Sequence, residues 1–239
     1  PTAGIPASVN LADINMILAR DGSYRMQAAY TLKNRSRQFL AVRLPTDARL
    51  LSVFVGDQAS RTVKTKLKEE EIHLIALPKT SAADLSFRVT LTLSGRLPQG
   101  LPLGSQVLGR DLDLPSPMII GQEESPEFGI PVARTRWAVY VPDDLDVWPV
   151  RDAKRNNLND QSPNVADSYS ARAVLQDYAE LLSNYDSLSS DRSRFLCASN
   201  LKELDTVLQT QSPAVNGGDT ALTEEYRKLQ TRYQSIVQQ

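Results

Sequence analysis

Two periods of hydrophobic alternation divide the chain. From about residue 11 to 150, short segments alternate apolar and polar positions with a period of two, while from about 166 onward apolar residues recur every three to four. The first pattern predicts strands and the second predicts helices. "LADINMILA" brings Leu11, Ile14, Met16 and Leu18 to regular spacing, "DGS" at 21–23 interrupts it, and "YRMQAAYTLK" resumes with Tyr24, Met26, Ala28, Tyr30 and Leu32 at every second position. Asp-Gly supplies the positive φ that tight turns need, so this stretch predicts a β-hairpin.

The next segments extend the same reading. "QFLAVRL" ends at Pro45, which cannot donate to a central ladder. "RLLSVFVGD" predicts a strand with Leu51, Val53 and Val55 on one face, and "QASRTVKTK" is polar and lysine-rich, as an edge strand should be. "EIHLIALP" places Ile72, Leu74 and Ala76 opposite His73, Ile75 and Leu77. "DLSFRVTLTLSG" puts Leu85, Phe87, Val89, Leu91 and Leu93 on one face. Seven such strands with turn signals at roughly ten-residue spacing and no helical crossovers predict an antiparallel β-sandwich, Ig-like or jelly-roll-like, in a mainly β chain with α.

Residues 95–131 break the pattern with six prolines and six glycines. This Pro/Gly-rich insertion is expected to form loops with short strands at "RDLDLP" and "PMIIG", and its length suits a functional or interfacial role. "VARTRWAVYVP" then predicts a strand with Arg134, Arg136, Ala138 and Tyr140 on one face and Trp137, Val139 and Val141 on the other, and "DLDVWPV" a last short strand. The sandwich therefore spans 1–150, a linker or surface loop 151–165, and a helical region 166–239.

Three helices are expected there. Asp167 or Ser168 is placed to cap the first, and Asp219 or Thr220 the last. The last helix carries Leu222, Tyr226, Leu229, Tyr233 and Ile236 along one stripe. Such a stripe packs on neighbouring helices or on the sandwich, or begins a coiled coil continuing past Gln239. The start at Pro1 and the end in an unterminated helical pattern read as a fragment of a longer polypeptide, whose targeting signals would lie outside it.

Composition narrows the chemistry. Hydrophobic residues make up 41% and charged residues 23%, enough to build a core. The 27 Lys and Arg against 28 Asp and Glu give a net charge of -1, which provides no field for nucleic acid, and no apolar run is long enough to span a bilayer. Cys197 is the only cysteine and His73 the only histidine, which removes internal disulfides, cysteine or multi-histidine metal sites and most nucleophile–base pairs. Cys197 reads as a small buried hydrophobe and His73 as a half-buried strand residue.

Carboxylates remain. Asp111, Asp113, Glu123, Glu124, Glu127, Asp143, Asp144 and Asp146 lie in or beside loops, where they could serve a glycosidase or a calcium site. No DxDxDG, Walker, GxGxxG or GxSxG motif accompanies them, so no catalytic residue, metal ligand or cofactor is assigned. Binding is the better class: Trp137, Tyr140 and Trp148 lie close in sequence and could form a sugar-stacking platform, although Trp137 shares its face with valines as a core anchor would.

The run "FLAVRLPTDARLLSVFVGD" followed by "RWAVYVPDD" resembles β-sandwich segments of large uncharacterised bacterial cell-envelope proteins, where a strand ending in Leu-Pro precedes one ending in Val-x-Gly. The resemblance covers about a third of the chain; it implies a fold and an envelope location, periplasmic or extracellular, and carries over no site residues. The expectation is a non-enzymatic module acting in protein–protein assembly or adhesion, with a protein partner or other domains of the parent chain. The alternatives are a carbohydrate-binding module using Trp148, Tyr140 and Trp137, and a hydrolase using loop carboxylates.

Overall fold

The computed structural model describes residues 6–97, 114–121, 123–125, 127–143, 163–210 and 220–237. The described residues are mainly β with three C-terminal helices, and the chain divides into two compact units: residues 1–79 with 87–148, and residues 80–86 with 149–239. Trp148, Asp111, Asp113, Asp144, Asp146, the "DLDVWPV" segment, residues 110–113 of "RDLDLP" and residues 151–162 of the expected linker lie outside the described residues, and residues 163–165 of that linker belong to a helix.

The first unit contains two sheets. Strands β1 (Ala7–Leu18), β2 (Ser23–Asn34), β3 (Phe39–Arg43), β4 (Arg49–Val55), β5 (Gln58–Ala59), β6 (Thr62–Leu67), β7 (Glu70–Ala76), β8 (Phe87–Arg96), β9 (Met118–Ile119) and β10 (Thr135–Tyr140) make them up. The six-stranded sheet runs β10-β1-β2-β8-β4-β5 and the four-stranded sheet β6-β7-β3-β9. Every neighbouring pair is antiparallel except β1 and β10, which run parallel with Ile14 opposite Trp137. β1 and β10 lie far apart in the chain, as parallel neighbours must, because no tight turn can join them.

One core serves both sheets. Ile14, Met16, Met26, Tyr30, Leu91 and Leu93 of the larger sheet and Leu40, Val42 and Ile75 of the smaller share a single buried cluster. Full burial of each large side chain contributes about 1.5–3 kcal/mol. The Asp21-Gly22 turn forms as expected: Gly22 has a φ of 79° and the Asp21 carboxylate accepts from the Ser23 backbone N–H at 3.0 Å. The lysine-rich strand β6 stands at a sheet edge.

Two face assignments differ from the alternation. A bulge between Leu50 and Ser52 turns Leu51 outward, 44% exposed, and packs Leu50 beside Val53 and Val55 on the core. Leu85 does not join Phe87 on β8 but packs with the helices. A further turn was silent in sequence: Leu67 pairs with Glu70, so Lys68 and Glu69 form a two-residue hairpin loop, with φ of 49° and 70°. That is the mirror-type turn that normally recruits Asn-Gly.

The second unit contains α1 (Pro163–Tyr185), α2 (Asp191–Thr210) and α3 (Thr220–Val237). Asp167 and Ser168 lie inside α1 rather than capping it, since the helix starts at Pro163, a residue well suited to a first turn. Ser190 caps α2, its Oγ accepting from the Ser193 backbone N–H at 3.1 Å. The stripe on α3 packs within this unit: Leu222 and Tyr226 are buried with Leu175, Leu181 and Leu201, and Leu229, Tyr233 and Ile236 pack against the same cluster. Cys197 is buried there, with its Sγ 3.6 Å from the Leu181 carbonyl.

Residues 80–86 complete the cluster. Ala83 is buried in it and Leu85 packs against it, Asn200 Nδ2 donates to the Ala83 carbonyl at 2.8 Å, and Ser86 Oγ donates to Asp177 Oδ1 at 2.8 Å. Among the described residues no helix is long and apolar enough to cross a membrane.

Candidate functional site

The two sheets treat their outer faces differently. On the four-stranded sheet, Ala41 and Ile72 are buried together with Ile120, and Leu67, Leu74 and Phe128 pack against them. Residues 114–131 therefore return as a cover. Ile120 N–H donates to the Ala41 carbonyl at 3.0 Å, Arg37 donates to the carbonyls of Glu127 and Gly129, and Arg43 pairs with Glu124 and with Glu70. The described part of the Pro/Gly-rich insertion is thus built into the fold, with Glu124 in a structural ion pair.

Much of the outer face of the six-stranded sheet is exposed or half-exposed, in three rows set by the strand register, although Ala29 in the third row and Leu11 beyond it are buried. The first runs Tyr140, Ile17, Arg25, Ser94, Arg49 across β10, β1, β2, β8 and β4. The second runs Ala138, Asn15, Gln27, Thr92, Ser52, and the third Arg136, Asp13, Ala29, Thr90, Phe54, Ala59. Tyr140 is 58% exposed and Ile17 62%, side by side at one end of the first row. The rows mix amides, hydroxyls and guanidiniums with two apolar ends.

Charges on this face are unevenly matched. Arg136 Nε donates to Asp13 Oδ1 at 3.0 Å, and Arg96 pairs with Asp21 at 2.6 Å in the adjoining turn. Hydrogen bonds from the Ser23 hydroxyl and backbone N–H, then the Arg96 guanidinium, hold the Asp21 carboxyl down at about 2. Arg25 and Arg49 are exposed and have no ion-pair or hydrogen-bond partner among the described residues. Both lie opposite Ser94, one on each side.

The tryptophan platform is not assembled from the residues that are described. Trp137 points inward and packs against the shared core, while Tyr140, three positions on, points outward. An odd separation on one strand places two side chains on opposite faces. Trp148, the third member, lies outside the described residues.

Other candidates resolve into structural parts. His73 is buried, with Nδ1 3.3 Å from Thr62 Oγ1 and Nε2 3.6 Å from Glu71 Oε1; burial pulls its pKa below the ordinary value, Lys64 adds to the drop, and Glu71 opposes it. Glu123, Glu127 and Asp143 are exposed in loops, and among the described residues no three His, Cys, Asp or Glu side chains are grouped to hold a metal ion. A shallow open depression is lined by Phe54, Gly56, Asp57, Phe87, Arg88 and Thr90, and these offer one carboxylate rather than an opposed pair.

In the helical unit, Tyr226 donates to Asp205 Oδ1 at 2.8 Å, and the Tyr178 ring packs at a tilt against those of Tyr226 and Tyr233, with centroids 6.4 and 6.0 Å away. Burial, then the Asp205 charge, raises the Tyr178 pKa, so the phenol stays protonated. This cluster has the character of a core.

No protein-family model matches the chain, and no curated protein sequence does. Among solved structures, the M1 zinc metallopeptidase of Deinococcus radiodurans is similar at 16% identity and a TM-score of 0.30, over 38% of this chain and 21% of that one. Leukotriene A4 hydrolase of Saccharomyces cerevisiae is similar at 11% identity and a TM-score of 0.31, over 37% of this chain and 15% of that one. The chain thus spans about a fifth or less of the length of these proteins. Likenesses of this size carry no argument about fold or activity.

Proposed function

We propose that the chain is a non-enzymatic β-sandwich module, Ig-like or jelly-roll-like, of a larger cell-envelope protein, and that it acts in adhesion through the outer face of its six-stranded sheet. One observation carries the proposal. Across four adjacent strands that face keeps exposed or half-exposed hydrogen-bonding groups at Asn15, Gln27, Thr92, Ser52, Arg25, Ser94 and Arg49, with Tyr140 and Ile17 at its margin. Polar groups held in register on a rigid sheet can bind without paying to be ordered. The shared core of the two sheets supports the sandwich reading, and the resemblance of "FLAVRLPTDARLLSVFVGD" to envelope-protein segments supports the location.

Co-sedimentation with bacterial cell-envelope preparations tests this. A Gln27→Glu/Thr92→Glu variant should lose retention, while Val63→Glu, on the exposed edge strand of the other sheet, should keep it. Retention that survives the Gln27/Thr92 change removes the sheet face from the proposal. No retention of the unaltered chain removes adhesion to the envelope.

A further inference from the structure

The first row of the open face has a composition of its own. Ser94 is flanked on both neighbouring strands by arginines, Arg25 on β2 and Arg49 on β4, in direct cross-strand register. Strands are spaced about 4.8 Å apart, so the two arginine backbones stand about 10 Å from each other with a hydroxyl between them. Neither guanidinium has a partner among the described residues. The acid within the three rows, Asp13, is taken by Arg136, and Asp21 in the next turn by Arg96. Two like charges are thus left side by side while Asp13 and Asp21 are held by other arginines.

We infer that this face binds an acidic polysaccharide, a chain of sugars bearing carboxylates or sulfates, laid across the strands. The inference rests on the proposal that the open face is the binding surface and names the ligand class for it. Arg25 and Arg49 present planar forks that match an oxyanion two bonds at a time, and the Ser94 hydroxyl lies between them as a third donor. The neighbouring row of Asn15, Gln27, Thr92 and Ser52 supplies amides and hydroxyls that both donate and accept, as sugar hydroxyls require. Tyr140 and Ile17 close the row with exposed apolar surface, which suits the flat face of a sugar ring.

The same features disfavour nucleic acid. Arg25 and Arg49 beside an uncharged row, with Arg88 further along the same face, are a sparse complement to a phosphate on every residue, and a net charge of -1 supplies no field to gather a dense polyanion. An open sheet without walls suits an extended polymer more than a small anion, which would leave most of the row unused.

Affinity electrophoresis of the full chain separates the outcomes. Polygalacturonate in the gel should retard the protein, and its fully methyl-esterified form, which keeps the hydroxyls and loses the charge, should not. Arg25→Gln and Arg49→Gln should each weaken retardation about tenfold, the double change should abolish it, and the double Arg→Lys variant should keep part of it. Unchanged circular dichroism of the exposed variants will show that the fold is intact. Equal retardation by the ester, retardation indifferent to both arginines, or equally strong retardation by duplex DNA would each overturn the inference. If no polysaccharide retards the chain while envelope retention still depends on Gln27 and Thr92, the ligand class is wrong and the surface stands. If retention ignores those residues too, both readings fail.

Discussion

The outer faces of the two sheets are opposites. On the smaller sheet the chain returns to bury Ala41 and Ile72 beneath Ile120 and Phe128 and ties the return down through Arg37 and Arg43. On the larger sheet the equivalent positions are Asn15, Gln27, Thr92 and Ser94, and they face solvent. An apolar face must be covered, and a polar one need not be. The sequence that follows each strand is therefore only half of what decides where a surface for partners forms; the other half is which side-chain set the register lines up.

The sharpest way to break that comparison is to empty the covered face. Ile120→Ala, at a site with no exposure, should cost about 2–4 kcal/mol in urea unfolding. A loss below half a kcal/mol would mean that the return is an ornament on the sheet and not part of its core. The hairpin at the edge of the same sheet offers an opposite change. Replacing Lys68-Glu69 by Asn-Gly should stabilise the protein by about 1 kcal/mol, because both positions hold positive φ. No gain would place the turn in another conformation.

His73 provides a pH axis through the smaller sheet. Its folded-state pKa is depressed, chiefly by burial, so the unfolded chain binds the proton more readily. Stability is therefore complete above the ordinary value of 6.5 and falls as the pH drops through the depressed one. Urea midpoints measured between about pH 5 and 7.5 should decline toward acid, and His73→Asn should flatten that part of the profile. The smallest effect belongs to the open face. Gln27→Ala should change stability by less than about 0.5 kcal/mol while still affecting retention on envelope material, and a large destabilisation would show that this face is covered after all.

How much of this could be read from residues alone varies with how local the cause is. The Asp21-Gly22 hairpin was legible because two adjacent residues dictate the turn. The packing of Leu222, Tyr226 and Leu229 was legible because helical spacing puts them on one stripe. The bulge after Leu50 was not, since an extra residue in a strand leaves the alternation looking intact while reversing its faces. Lys68-Glu69 was silent because neither residue favours the conformation it adopts. The arginine pair was hidden for a different reason: Arg25, Ser94 and Arg49 lie on three strands far apart in the chain, and register between strands is not a property of any one of them. The opposite faces of Trp137 and Tyr140 were legible, because strand alternation over three positions decides them.

The segment 80–86 has a consequence in time. Asn200 meets the Ala83 carbonyl across a separation of 117 residues, and a ribosome adding about 5–20 residues per second needs roughly 6–23 s to make that span. The strands on both sides of the segment, β7 and β8, are finished long before their intervening loop has helices to receive it. Ala83 and Leu85 are thus made well before the helices that bury them, and the helical unit cannot close on this segment until α2 has been made.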